Sequence, residues 1–226
     1  MLLNAALGTP DDSGRLLADM GLRPEYFDRA VRIGERSREQ CTNDDAKNAR
    51  GTQDYLTRVR ELRFLLRTEL GWKRYDPKQA PLIVNPDKTI AIGVLLGDAR
   101  TGLPGNPQPR SHRPAGITKE AAVARNQSLQ QLSLFTPTTG PDDEVQLDDD
   151  EYANLATWYL LTHRFEGKKS NIVEIRSELS LPDRIGPKGR IDSWRARILL
   201  PPVRIEEIQD YTGDHAASYV VDVQER

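Results

Sequence analysis

Through residues 1–71 apolar positions recur at three- and four-residue spacing, and beyond Trp72 the period shortens to two, so the chain predicts helices first and strands later. Thr9-Pro10-Asp11-Asp12 joins a capping residue, a proline at a first helical position and two first-turn acids. It opens a short helix through Leu16, Leu17 and Met20, and Gly21 stops it. Pro24 and Glu25 open a second helix, with Phe27, Ala30, Val31 and Gly34 on one face and Arg29, Arg32, Arg36 and Arg38 elsewhere. Its end is expected near Cys41 and Thr42, where Thr42-Asn43-Asp44-Asp45 is turn chemistry. A third helix is expected from Thr52, on the spacing of Leu56, Val59, Leu62, Leu65, Leu66 and Leu70, and Gly71 ends it.

Pro81–Val84 and Thr89–Leu96 are short apolar runs joined by the turn sequence Asn85-Pro86-Asp87-Lys88, which predicts a hairpin. Both faces of the second run are apolar, so it is expected to be a central strand covered by the helical unit. Residues 101–116 hold four prolines and three glycines and predict a long loop. A helix capped by Thr118 and running to about Leu132 follows, with Leu129 and Leu132 available for docking, and then residues 136–151 have linker composition. In the final third, strands are expected over Trp158–Phe165, Ile172–Leu181 and Arg190–Leu200, joined by turns at 166–171 and 182–189. Residues 150–160 also fit an acid-capped helix, through Tyr152, Leu155, Ala156 and Tyr159. Alternation places Val173, Ile175, Leu179 and Leu181 on a core face and Glu174, Arg176 and Glu178 on a wet one. Pro201 and Pro202 are expected to end the meander, and Ser218–Val223 to add an edge strand.

The fold class that follows is α+β: an N-terminal helical unit packed on a small antiparallel sheet, then a C-terminal antiparallel β-meander. The expected regions are 1–100, 101–151 and 152–226, with the first and last open to merging into one composite domain.

Charge adds a second layer. The net charge is −2 over 226 residues, but residues 1–136 carry 21 Lys and Arg against 16 Asp and Glu. The negative excess lies in Asp142, Asp143, Glu144, Asp148, Asp149, Asp150 and Glu151. Such a run reads as a solvated linker, or as an acidic strip that competes with nucleic acid for a basic surface. Cys41 is the single cysteine, so no internal disulfide forms. The first residues lack the basic start and long apolar run of a signal peptide, and no stretch is apolar enough for a membrane span. A cytoplasmic protein with no membrane partner is expected.

Asp98, bracketed by Gly97 and Gly102 at the end of a buried strand, reads as a tight-turn residue or as a rigidly held carboxylate able to bind metal or orient a partner. Glu166-Gly167-Lys168 has the spelling of a nuclease acid–lysine pair, but falls in a polar turn. Glu174 and Glu178 either pair with each other's chemistry or form salt bridges with Arg176 and cross-strand neighbours. His112, His163 and His215 are scattered without zinc-ligand spacing to one another or to Cys41. Gly186-Pro187-Lys188-Gly189 lacks the spacing of a phosphate loop, and no serine-hydrolase elbow is present. No metal and no cofactor are expected. The basic candidates for nucleic-acid or partner contact are Arg58, Arg60, Arg63 and Arg67 on the third helix, with Arg100, Arg110, Arg113, Lys119 and Arg125 around the proline loop.

Leu22-Arg23-Pro24, Cys41-Thr42, Leu70-Gly71-Trp72, Val84-Asn85, Gly97 to Gly102, Glu178 to Pro182, Trp194 and Arg197 resemble landmarks of a bacterial protein family with no assigned activity. The resemblance implies a bacterial accessory protein of a mobile element or antiviral defence locus, and transfers no catalytic residue. The expected function is a non-enzymatic interaction subunit of a nucleic-acid-handling assembly. Its partner is another protein, with nucleic acid contacted through the complex. The rival is a metal-dependent nuclease or related hydrolase using Asp98 with Glu166, Lys168, Glu174 or Glu178. The first reading requires charged groups dispersed over docking surfaces, and the second requires them gathered into a pocket.

Overall fold

The computed structural model describes residues 10–134, 154–166 and 172–206. Three helices, α1 (Pro10–Asp19), α2 (Pro24–Glu39) and α3 (Ala49–Leu70), precede the short strands β1 (Lys73–Tyr75) and β2 (Leu82–Val84) and the longer β3 (Ile90–Leu96). Helix α4 (Ile117–Leu134) then leads to β4 (Ala156–Glu166), β5 (Ile172–Ile185) and β6 (Ile191–Glu206). The α+β expectation is borne out, with helices first and the long antiparallel strands last. Gly71 ends α3 in the left-handed conformation (φ 69°), which costs glycine little and other residues more.

The hairpin and the meander are parts of one six-stranded sheet in the order β1-β2-β3-β4-β5-β6. They join along β3 and β4, which run parallel from Ile90↔Ala156 to Leu96↔Thr162, while every other pairing is antiparallel. A parallel join needs a crossover, and α4 lies within that connection. The stretch 156–160 is therefore strand, not acid-capped helix.

The sheet has two covered faces. On the first, Ile92, Val94, Leu160, Leu179, Ile198 and Leu200 pack against Leu17, Phe27, Ala30, Leu62 and Leu66 of the three N-terminal helices. On the second, Ala91, Leu95, Tyr159 and Leu161 pack with Val123 of α4 and with Ile191 and Trp194. This accounts for the two apolar faces of β3.

Several expectations are corrected. Pro201 and Pro202 do not end the meander, because β6 runs on to Glu206. The register passes from Ile175↔Val203 to Ser177↔Leu200, so the two prolines stand opposite the single residue Arg176 as an exposed bulge in an outer strand. A bulge on an outer strand tolerates the missing N–H groups. Leu56 is 53% exposed and does not belong to the α3 core face. Glu178 is fully buried, although alternation placed it on a wet face. The acidic run 142–151, Lys168, His215 and the expected strand 218–223 lie outside the described residues. Among the described residues, no helix is long and apolar enough to cross a membrane.

Candidate interaction surfaces

The proline-rich loop after β3 is stitched to the second sheet face. Ser111 donates its N–H to Ile191 O (2.9 Å) and forms an isolated antiparallel bridge with Gly97. Gln108 bonds both the N–H and the carbonyl of Trp194, at 2.7 and 3.0 Å, and the Trp194 indole N–H reaches Pro109 O at 2.8 Å. This cover explains the burial of Glu178, whose carboxylate becomes the anchor beneath it. Arg197 grips that carboxylate with two nitrogens, Nε to Oε1 at 3.0 Å and Nη2 to Oε2 at 2.5 Å. Ser180 Oγ and the Gly102 N–H complete the shell at 2.7 and 2.8 Å. Arg197 Nη2 also donates to Leu103 O at 2.9 Å, so the pair ties two strands to the loop. Two buried charges are tolerable only when paired and hydrogen-bonded in this way.

A second charged cluster sits between α2, α3 and β4. Arg164 Nε donates to Glu35 Oε1 at 2.6 Å, Arg58 Nε meets Asp54 Oδ1 at 2.6 Å, and Arg58 Nη1 donates to Thr162 Oγ1. Arg38 approaches Glu35 from the rim at 3.8 Å. Five ionisable side chains converge here, which departs from full dispersal without gathering them around a pocket. They do so in packed space, since the Glu35, Arg58 and Asp54 side chains are 0%, 2% and 7% exposed. Gly34 allows it, because a Cβ there would run into the Arg58 side chain and stand 2.6 Å from Asp54 Oδ1. Burial pushes the Asp54 carboxyl above its ordinary range, Arg58 pulls it back and Glu35 pushes it further up. Burial likewise lowers the Arg58 guanidinium, opposed by Asp54 and Glu35. The arrangement clamps two helices to a strand.

The proposed hydrolase carboxylates are held apart by their own partners. Asp98 turns back on its loop, where Oδ1 accepts the Arg100 N–H at 3.0 Å, as the turn reading requires. Glu174 pairs with Arg176 at 2.7 Å and Arg204 at 3.1 Å, and hydrogen bonding to Arg176 is the main cause holding its carboxyl below the ordinary range. Glu166 is the last residue of β4 and pairs with Arg164. Among the described residues, no group of three or more His, Cys, Asp and Glu is arranged to hold a metal ion. His112 is exposed, and the His163 ring lies 3.4 Å from Gly97 O.

The basic candidates divide in two. Arg58 is buried, and Arg63 is spent on Asp76 (2.5 Å) and Leu82 O (2.8 Å), so neither offers a contact surface. Arg60 and Arg67 are exposed and form no ion pair among the described residues. They alternate with Leu56 and Phe64, 53% and 48% exposed, along the outside of α3. At helical pitch the four span an arc of about 80° and a length of roughly 17 Å. Arg100, Arg110 and Arg113 are exposed on the loop, whose Ala115 is joined through Gly189 O, at 2.6 Å, to the β5–β6 tip that carries Lys188 and Arg190. Lys119 is half-buried, and burial, then neighbouring Arg113, lowers its pKa.

Sequence reasoning missed Glu35, Asp54 and Arg164. The signal was present in α2 and α3: Glu35 follows Phe27 and Val31 at eight and four residues, inside the apolar stripe, and Asp54 precedes Arg58 by four. A charge on an apolar stripe marks a buried partner elsewhere. No protein-family model matches the chain, and neither a curated protein nor a solved structure is found to be similar to it.

Proposed function

We propose that the protein is a non-enzymatic docking subunit of a nucleic-acid-handling assembly, and that the outer face of α3 receives an acidic amphipathic segment of a partner protein. The observation that carries this reading is the stripe Leu56, Arg60, Phe64 and Arg67, in which two exposed apolar side chains alternate with two arginines that have no acid partner among the described residues. Exposed aromatic and arginine side chains are the usual anchors of protein interfaces. An acidic partner with two apolar contacts at helical spacing complements both features, as in helix-to-groove recognition. Arg23, Arg29, Arg32, Arg58 and Arg63 support the reading by contrast, since each pairs with an acid of the fold, while Arg36 and Arg50 pair with none among the described residues. The exposed cations of the proline loop then face nucleic acid held by the assembly.

The test is co-purification of the tagged chain from its native host after nuclease treatment, in parallel with Phe64→Ser and with Arg60→Glu/Arg67→Glu. A partner that is acidic, retained by the parent chain and lost from both variants is the expected result. Retention that ignores the stripe variants, or self-association through residues 142–151 abolished by the same variants, would overturn the proposed partner.

A further inference from the structure

A cavity of about 200 Å³ opens between α1 and α4, beside the ends of β3 and β4, and its lining is almost wholly apolar. Leu16 and Met20 of α1, Leu129 of α4 and Trp158 of β4 contribute to the wall, with Ala156 and Arg195 among the remaining residues. Leu16, Met20, Leu129 and Trp158 are each only half-buried, whereas Ile92, Leu160, Leu179 and Ile198 of the same sheet are buried. Convergence of half-covered apolar side chains on one concavity, with few polar groups, is the usual make-up of a small-molecule site.

The polar lining specifies the ligand further. Asn126 is saturated: Nδ2 donates to Thr157 O at 3.1 Å and Pro182 O at 3.3 Å, and Oδ1 accepts the Thr157 N–H at 2.9 Å. Arg195 is not. Its side chain is 7% exposed, with Nη1 on Asn126 O at 2.8 Å and Nη2 on Asp183 Oδ1 at 3.1 Å, while its buried Nε has no hydrogen-bond partner among the described residues. A buried N–H left unpaired is costly, and an acceptor brought by a ligand removes that cost. The positive charge favours an anionic acceptor. A dry apolar cavity of about 150 Å³ accommodates a benzene ring, so this one has room for a ring with a short tail.

We propose that this cavity binds a small apolar carboxylate, of the size of an arylacetate or a branched short-chain acid, with its carboxylate on Arg195 Nε. The site is independent of the α3 face.

The test is an NMR titration of the full chain, following the Trp158 indole and the Met20 methyl, with phenylacetate and with ethylbenzene as its acceptor-free counterpart. Saturable binding of phenylacetate is expected. Ala156→Leu, which fills the cavity, abolishes binding of both probes. Arg195→Met weakens phenylacetate by about tenfold, the worth of one charge-assisted hydrogen bond, and leaves ethylbenzene unchanged. Failure of phenylacetate to saturate, or binding that Ala156→Leu leaves intact, overturns the site. Equal weakening of both probes by Arg195→Met, or binding of ethylbenzene alone, overturns the carboxylate. Should Arg195→Met fail to fold, Ala156→Leu and the two-probe comparison still decide.

Discussion

Gly102 donates its backbone N–H to Glu178 Oε2 at 2.8 Å, so a loop residue is held by a strand carboxylate 76 positions later in the chain. The same carboxylate neutralises Arg197, and each group has the other as its buried counter-charge. Glu178→Gln should therefore cost about 3–5 kcal/mol, because Arg197 is left charged and unpaired. Replacing both, as Glu178→Leu with Arg197→Met, should recover much of that loss. Urea unfolding of the single and double variants reads the difference, and a single variant as stable as the parent chain refutes the anchor.

Gly34 and Gly14 form a matched pair of helical glycines with opposite surroundings. A Cβ at Gly34 meets Arg58 and Asp54, whereas one at Gly14 meets nothing within 4 Å. Gly34→Ala should destabilise by about 1–3 kcal/mol through overpacking. Gly14→Ala should instead stabilise by roughly 0.4–1 kcal/mol, through the unfolded chain's lost freedom. Thermal and chemical denaturation check the change of sign.

The Asp54 carboxyl binds its proton more tightly in the fold than in the unfolded chain, chiefly through burial. The native state then carries more protons than the unfolded state between the ordinary Asp range and the raised value. Stability should fall as pH climbs through that window and level off above it. Asp54→Asn should remove this fall, so that the parent chain compares best with the variant at the acid end. A stability difference that instead grows with pH would mean that Arg58 outweighs desolvation.

Arg110 and Arg113 are exposed and without acid partners among the described residues, which suits them to phosphate contact. Arg110→Glu and Arg113→Glu should leave stability within about 0.5 kcal/mol of the parent. On the proposed function, nucleic-acid retention by the assembly should fall uniformly across sequences, and the salt slope should decrease by about one unit per lost contact. Filter binding across a salt series measures both.

The N-terminal helices were legible because their signals are local: Pro10, Pro24 and Gly71 mark boundaries within a residue or two of those observed. The parallel register of β3 on β4 was not, since pairing across the α4 crossover leaves no short-range pattern. Glu178 shows the same limit in the site. Alternation assigns it correctly to the face of Leu161, with which it pairs, but periodicity says nothing of the loop that roofs that face. Arg58 failed for the converse reason, since an arginine looks solvent-bound until Glu35 of another helix and Thr162 of a strand are known to meet it. The stripe on α3 was half visible: its arginines stood out, but Leu56 fitted the core spacing too well to be read as exposed.

The paired prolines of β6 bear on how copies of this molecule meet. Among the described residues, Pro201 and Pro202 take two N–H donors from one rim of the sheet, and β1 offers only three residues at the other. Neither border is a good template for a further strand, which protects against runaway fibrous stacking. Association through this part of the chain is thereby steered toward helix faces, where side chains rather than main-chain ladders choose the companion.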